Sequence, residues 1–247
     1  YEIQRGDWSS DVCSSDLTGV AVVSLGTSDT FFAALDAFRT DPAGCGHVFG
    51  NPAGGFMSLA CFKNGSLARD RVRQEAGVDW TFFDRTAFER TPPGNEGRLA
   101  LPWFVPEITP PVLTSGVRAC FDFAQAAPEV RVRAVVEAQA LALRAHAEWI
   151  GRFDTLRVTG GASRSPGIRQ TLADVFQARV ESIAVADSAA LGSAMLAAHA
   201  DGVSLAEMTA HFSPVADVCL PRAANAAVYD RLLPAVRELE RLPPAGA

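Results

Sequence analysis

Apolar and polar positions alternate most clearly in the second half of the chain. From Glu129 to Ile150 apolar residues fall at Val132, Val135, Val136, Leu143 and Ile150. That spacing predicts one long helix with a buried stripe. Arg133 and Glu137 lie four apart, as do Arg144 and Glu148, which predicts a charged outer face. Gly151 is its expected stop. "TLRVTGG" (155–161) then reads as a strand ending in glycines, and "SPGIRQTLADVFQA" (165–178) as a helix. In that helix Ser165 is the N-cap, Pro166 the first helical residue, and Ile168, Leu172, Val175 and Phe176 the core stripe. "RVESIAV" (179–185) is a further strand. "DSAALGSAMLAAHADG" (187–202) is a further helix, capped by Asp187 or Ser188 and stopped by Gly202. Its Ala, Gly and Ser content permits close packing against a sheet.

The first half is less regular. Residues 19–38 read as two strands around a polar turn. Residues 46–60 hold a short strand, a Gly/Pro turn and the start of an apolar segment. Residues 56–77 become helical in their second half and stop at Gly77. Residues 90–111 carry six prolines and read as an extended, loop-rich insertion. A last helix is expected near 225–240. Alternating strands and helices imply an α/β layer.

Residues 1–17, "YEIQRGDWSSDVCSSDL", have neither period, and no charged region precedes an apolar one as in a secretory signal. "GDWSSDVCSSDL" resembles the conceptual translation of a sequencing-library adapter. These residues are set aside as non-native, leaving 18–247 as one domain. With Tyr1 in place of an initiator Met, the chain reads as a fragment lacking its upstream part.

Composition narrows the classes. The chain has 247 residues, 48% hydrophobic, with 28 acids against 22 bases and a net charge of −6. That balance does not favour nucleic acid as a partner. No apolar run approaches the roughly 20 residues that span a membrane. The five Cys show no C-x-x-C pair and the four His no metal spacing. Reduced thiols in a cytoplasmic protein, and no metal ligand, are the expectation.

Two turns carry candidate chemistry. Gly26-Thr27-Ser28-Asp29-Thr30 separates two strongly apolar runs. Such a turn is either an ordinary hairpin or a phosphate loop, in which Gly lets backbone N–H groups approach an anion and hydroxyls add donors. Thr159-Gly160-Gly161-Ala162-Ser163 lies between a strand and a helix N-terminus. It is neither G-x-G-x-x-G nor a P-loop with its Lys. It is either a tight βα connection or a place where backbone passes close to a ligand.

Five segments occur in a recognisable order: "VSLGTSDTFF", "SLACFKNGSLARDRVR", "PEITP", "VEAQALALRAHAE" and "VTGGASRSPGIRQTLADVF…SAALGSAMLAAH". Together they resemble the C-terminal half of carbohydrate kinases of the FGGY family, nearest to its eukaryotic-type xylulokinase branch. "CFKNGSLAR" and "EITP" separate that branch from glycerol, ribulo- and gluconokinases.

The resemblance implies an actin-like (ribonuclease H-like) ATPase domain of α/β class. Gly26, Thr27 and Ser28 would supply donors beside the ATP phosphates. Gly160, Gly161 and Ala162 would lie under the nucleoside, with Ser165 near the adenine. Trp80 resembles a position lining the adenine pocket, with a plain core Trp as the other reading. Lys63 is taken as solvated or structural. Asp29 is not taken as a base, because many relatives carry Gly there. The family's catalytic Asp lies upstream in a Gly-Asp-Asn motif that this chain lacks; Asp11 and Asp16 lack that context. No catalytic or metal residue is therefore assigned. The full enzyme would use ATP with Mg2+ and D-xylulose, and a homodimer is compatible with the resemblance. The alternatives are another FGGY sugar or polyol kinase, or a non-catalytic actin-like nucleotide-binding module.

Overall fold

In a computed structural model, residues 19–183, 185 and 188–244 are described. The segment 1–17 and the candidate cap Asp187 lie outside them. Strands β1 (Val20–Leu25) and β2 (Asp29–Leu35) form a hairpin in which Leu25 pairs Asp29. β3 (His47–Gly50) and β4 (Phe56–Phe62) extend that antiparallel arm. α1 (Ser66–Glu75) follows, and Gly77 ends it at φ +66°. A π-helical segment, Phe82–Thr86, runs into the single turn α2 (Ala87–Arg90).

The Pro-rich stretch is more ordered than expected. It contains β5 (Ala100–Trp103), paired with β6 (Gly116–Ala119) in a second, two-stranded sheet. α3 (Pro128–Ala147) is the long helix. β7 (Thr155–Thr159), α4 (Pro166–Phe176) and β8 (Arg179–Ile183) form the expected β–α–β unit. α5 (Ser188–Ala200), α6 (Leu205–Phe212), β9 (Val215–Cys219) and α7 (Ala226–Leu239) complete the chain.

The main sheet runs β3-β4-β2-β1-β7-β8-β9. Its centre, β1-β7-β8, is parallel, and both arms are antiparallel. Alternation along β1 sends Ala21, Val23 and Leu25 into the helix-covered core. Val22 joins Phe32, Met57 and Leu59 on the opposite face. Among the described residues no helix is long and apolar enough to cross a membrane.

One expectation is corrected. α3 does not show a charged face to solvent, because 13 of its 20 residues are buried. α1, α2, α4, α7 and β5 all pack against it. The Arg133–Glu137 pair is therefore internal: Arg133 Nε donates to Glu137 Oε1 at 2.8 Å, and Glu137 is fully buried. Arg144 and Glu148 pair outward instead, with Asp230 and Arg237 on or beside α7. α5 packs its buried Met195 with Leu205 and Met208 of α6. The neighbouring strand β8 is covered by α4 and flanked by β9.

Candidate nucleotide site

β1 and β7 are parallel neighbours, with Ser24 opposite Thr159. The chain therefore leaves both strands side by side at one edge of the sheet. Such edges, at the carboxyl ends of parallel strands, are where open α/β sheets bind ligands. Gly26–Ser28 follows β1, and a single 3-10 turn, Gly161–Arg164, follows β7. The two candidate turns thus meet in space although about 130 residues separate them in sequence.

Their contact requires a glycine. Gly160 has φ +83°, and a Cβ there would stand 2.5 Å from the Leu25 carbonyl oxygen. Backbone crosses backbone, which no side chain permits. Ser163 steadies the turn by donating its hydroxyl to the Gly160 carbonyl at 2.7 Å. Gly161 differs: its side is open, and an added Cβ would meet nothing within 4 Å. Ala162 is half-buried.

Ser165 is buried, and its hydroxyl accepts from the Ile168 N–H at 3.3 Å, the cap expected of α4. It is also hydrogen-bonded to Asp84, whose carboxyl is pushed up by burial and held down in part by that bond. This position shapes the floor of the site, and its hydroxyl is already engaged. Trp80 is 46% exposed, so the core reading of it does not hold. Its indole meets the Phe83 ring edge-on at 5.4 Å and carries the Arg73 guanidinium 4.9 Å from its ring centre. The segment after it packs on the start of α4: a Cβ on Gly167 would strike the Phe88 ring and the Asp84 carbonyl. Trp80 therefore precedes a segment that packs on α4, the helix that follows the Gly160–Ser163 turn.

On the Gly26–Ser28 turn Thr27 is exposed and Ser28 half-buried. Asp29 is buried in a two-pronged ion pair with Arg69, at 2.6 and 2.8 Å. Arg69 reaches on to Gln139 at 3.2 Å. Asp29 thus acts as a strut between the turn and Arg69. Lys63 is exposed, as a solvated Lys should be. Among the described residues no group of three or more His, Cys, Asp or Glu could hold a metal ion.

The structure also adds residues that the sequence pattern did not single out. Gly65 presses on the turn from the other side, where a Cβ would stand 2.7 Å from the Thr27 carbonyl and 2.8 Å from that of Gly26. Asn64 and Glu107 lie behind it. They lie in "CFKNG" and "EITP", two of the stretches that carry the family resemblance.

The family model for the C-terminal domain of FGGY carbohydrate kinases matches residues 21–200. The chain belongs to the FGGY family of carbohydrate kinases. A xylulose kinase of Rattus norvegicus is 39% identical over 241 residues, covering 90% of this chain and 44% of that protein. The chain thus spans less than half the length of this curated relative. Two solved structures from Lactobacillus acidophilus share the fold. The ligand-bound xylulose kinase superposes with a TM-score of 0.83 at 20% identity, over 94% of this chain and 49% of the other. The gluconate kinase does so with 0.79 at 21%, over 93% and 49%. The actin-like fold of the FGGY family therefore holds for this chain, and the fold alone does not separate one sugar from another.

Proposed function

We propose that the chain is the ATP-binding half of a xylulose kinase, which transfers the γ-phosphoryl group of ATP to the 5-hydroxyl of D-xylulose. One observation carries the nucleotide part: two glycine turns meet at the strand ends, and the open side of Gly161 admits a flat group against the backbone. The sugar is taken from the rat relative.

In this reading the nucleoside lies over Gly160, Gly161 and Ala162. The phosphates lie toward Gly26, Thr27 and Ser28, whose backbone N–H groups and hydroxyls donate to them. Phosphoryl transfer asks a protein mainly to position groups and to neutralise charge. Mg2+ would enter with the nucleotide, since this ion is usually held by substrate phosphates with one or two carboxylates. No side chain of this half is assigned to it. The proton acceptor for the sugar hydroxyl belongs to the half that this chain does not contain.

The 247-residue chain is accordingly expected to bind ATP and to leave D-xylulose unphosphorylated. A coupled ADP-release assay, with the chain as the sole protein, checks this. Turnover at enzyme-like rates would show that the chain carries its own base and sugar site, and would overturn this reading.

A further inference from the structure

Two segments set this branch apart and take no part in the nucleotide contacts described so far: "CFKNGSLAR" and "EITP". In the fold they lock onto each other. Asn64 uses both ends of its amide on Val105, donating to its carbonyl at 3.0 Å and accepting from its N–H at 3.1 Å. The same Nδ2 donates to Glu107 Oε2 at 2.9 Å. The Glu107 carboxylate also accepts from the N–H groups of Lys63, Asn64 and Ile108. On the far side Gln139 donates to the Asn64 carbonyl at 2.7 Å, and Gln139 also meets Arg69, the partner of Asp29.

The next residue is Gly65, which touches the backbone of Gly26, Thr27 and Asp29. Ser66 N–H then donates to the Gly26 carbonyl at 2.8 Å. A continuous path therefore runs from Glu107 through Asn64 and Gly65 to the turn that faces the phosphates.

Glu107 is a costly choice for a loop staple. It is 6% exposed, and among the described residues its hydrogen-bond partners are backbone and amide N–H groups. Burial raises its pKa, while those donors pull it down. A buried carboxylate needs several donors to be tolerated at all. Here they fix the two residues before Gly65 in one place.

We propose that Asn64 and Glu107 are positioning residues of the ATP site, holding Gly65 against Gly26–Thr27 so that the phosphate-side donors stay aligned. The inference rests on the ATP reading above. It assigns a role to the two branch-specific segments: they brace the phosphate turn from outside the ligand contacts. Supporting groups of this kind act by orienting the residues that touch the ligand.

The test compares ATP with adenosine, which lacks the phosphates. Calorimetric titration of the 247-residue chain with each, in Mg2+ buffer, gives a ratio of affinities. In Glu107→Gln and in Gly65→Ala the ATP affinity is expected to fall roughly tenfold, as for other losses of supporting groups. Adenosine affinity should stay within about twofold. Equal loss for both ligands, or unchanged ATP affinity in these folded variants, overturns the positioning role and leaves the network a plain loop staple. If Glu107→Gln does not fold, Asn64→Ser reads the same ratio, because it removes one amide and leaves the carboxylate. The unaltered chain separates the two levels. If it binds ATP no more tightly than adenosine, the ATP reading itself fails and takes the positioning role with it.

Discussion

Glu137→Ala is expected to destabilise the chain by about 3–5 kcal/mol, the usual consequence of removing one partner of a buried ion pair. Three donors converge on Glu137 Oε1: Arg133 Nε at 2.8 Å, the Gly94 N–H at 2.9 Å and the Tyr229 hydroxyl at 2.8 Å. The same carboxylate and burial push the Tyr229 phenol up, so it stays a donor. Arg133 also donates to the Thr91 and Phe88 carbonyls. Removing the carboxylate leaves a buried guanidinium without its counter-charge and a buried phenol without its acceptor. These groups join α3, α7 and the 88–95 segment, so the loss is felt by the whole core. Replacing Arg133 and Glu137 together by Met, with Tyr229→Phe, should recover much of the stability, since no charge is then stranded. Urea unfolding of the three proteins reads this. A Glu137→Ala protein within about 1 kcal/mol of the original would contradict it.

Thr27→Ala is expected to depress kcat by roughly 10²–10³-fold, about 2.7–4 kcal/mol, in an enzyme that joins this chain to its upstream half. The Thr27 side chain is exposed. Its loss should therefore leave the melting temperature alone. The hydroxyl would face the phosphates, where charge redistributes in the transition state, so kcat should fall more than KM for ATP rises. Steady-state kinetics against both substrates decides it. A rise in KM for ATP with kcat unchanged would make Thr27 a ground-state contact only.

The local features of the fold were legible because local chemistry sets them. Ser165 caps α4 because its hydroxyl reaches the N–H three residues on, and Gly77 and Gly202 sit at positive φ where helices end. The hairpin of β1 and β2 followed from apolar runs around a polar turn. The contacts that bury α3 are non-local. A pair at i and i+4 looks the same in sequence whether solvent or α7 covers it, so Arg133 and Glu137 read as surface charges. The small residues of α5 permit close packing but do not say against what; Met195 packs on Leu205 and Met208 of α6. β9 escaped notice because Asp217 interrupts its apolar pattern and its residues are largely exposed at the sheet edge. At the site, the two turns were each legible. Their contact, the open side of Gly161 and the brace behind Gly65 were not, since each depends on the register of β1 against β7 or on backbone distances.

The central claim is that the Gly160–Ala162 turn is the surface on which a nucleoside rests. Calorimetric titration of ATP into the 247-residue chain and its Gly161→Val variant tests it most directly. An added Cβ at Gly161 meets no protein atom within 4 Å, so the variant should keep the original melting temperature when no nucleotide is present. The unaltered chain should bind ATP, and Gly161→Val should weaken that binding at least about tenfold, the factor that corresponds to 1.4 kcal/mol. Equal ATP affinity in the two proteins would contradict the claim and make these glycines a packing feature of the βα connection.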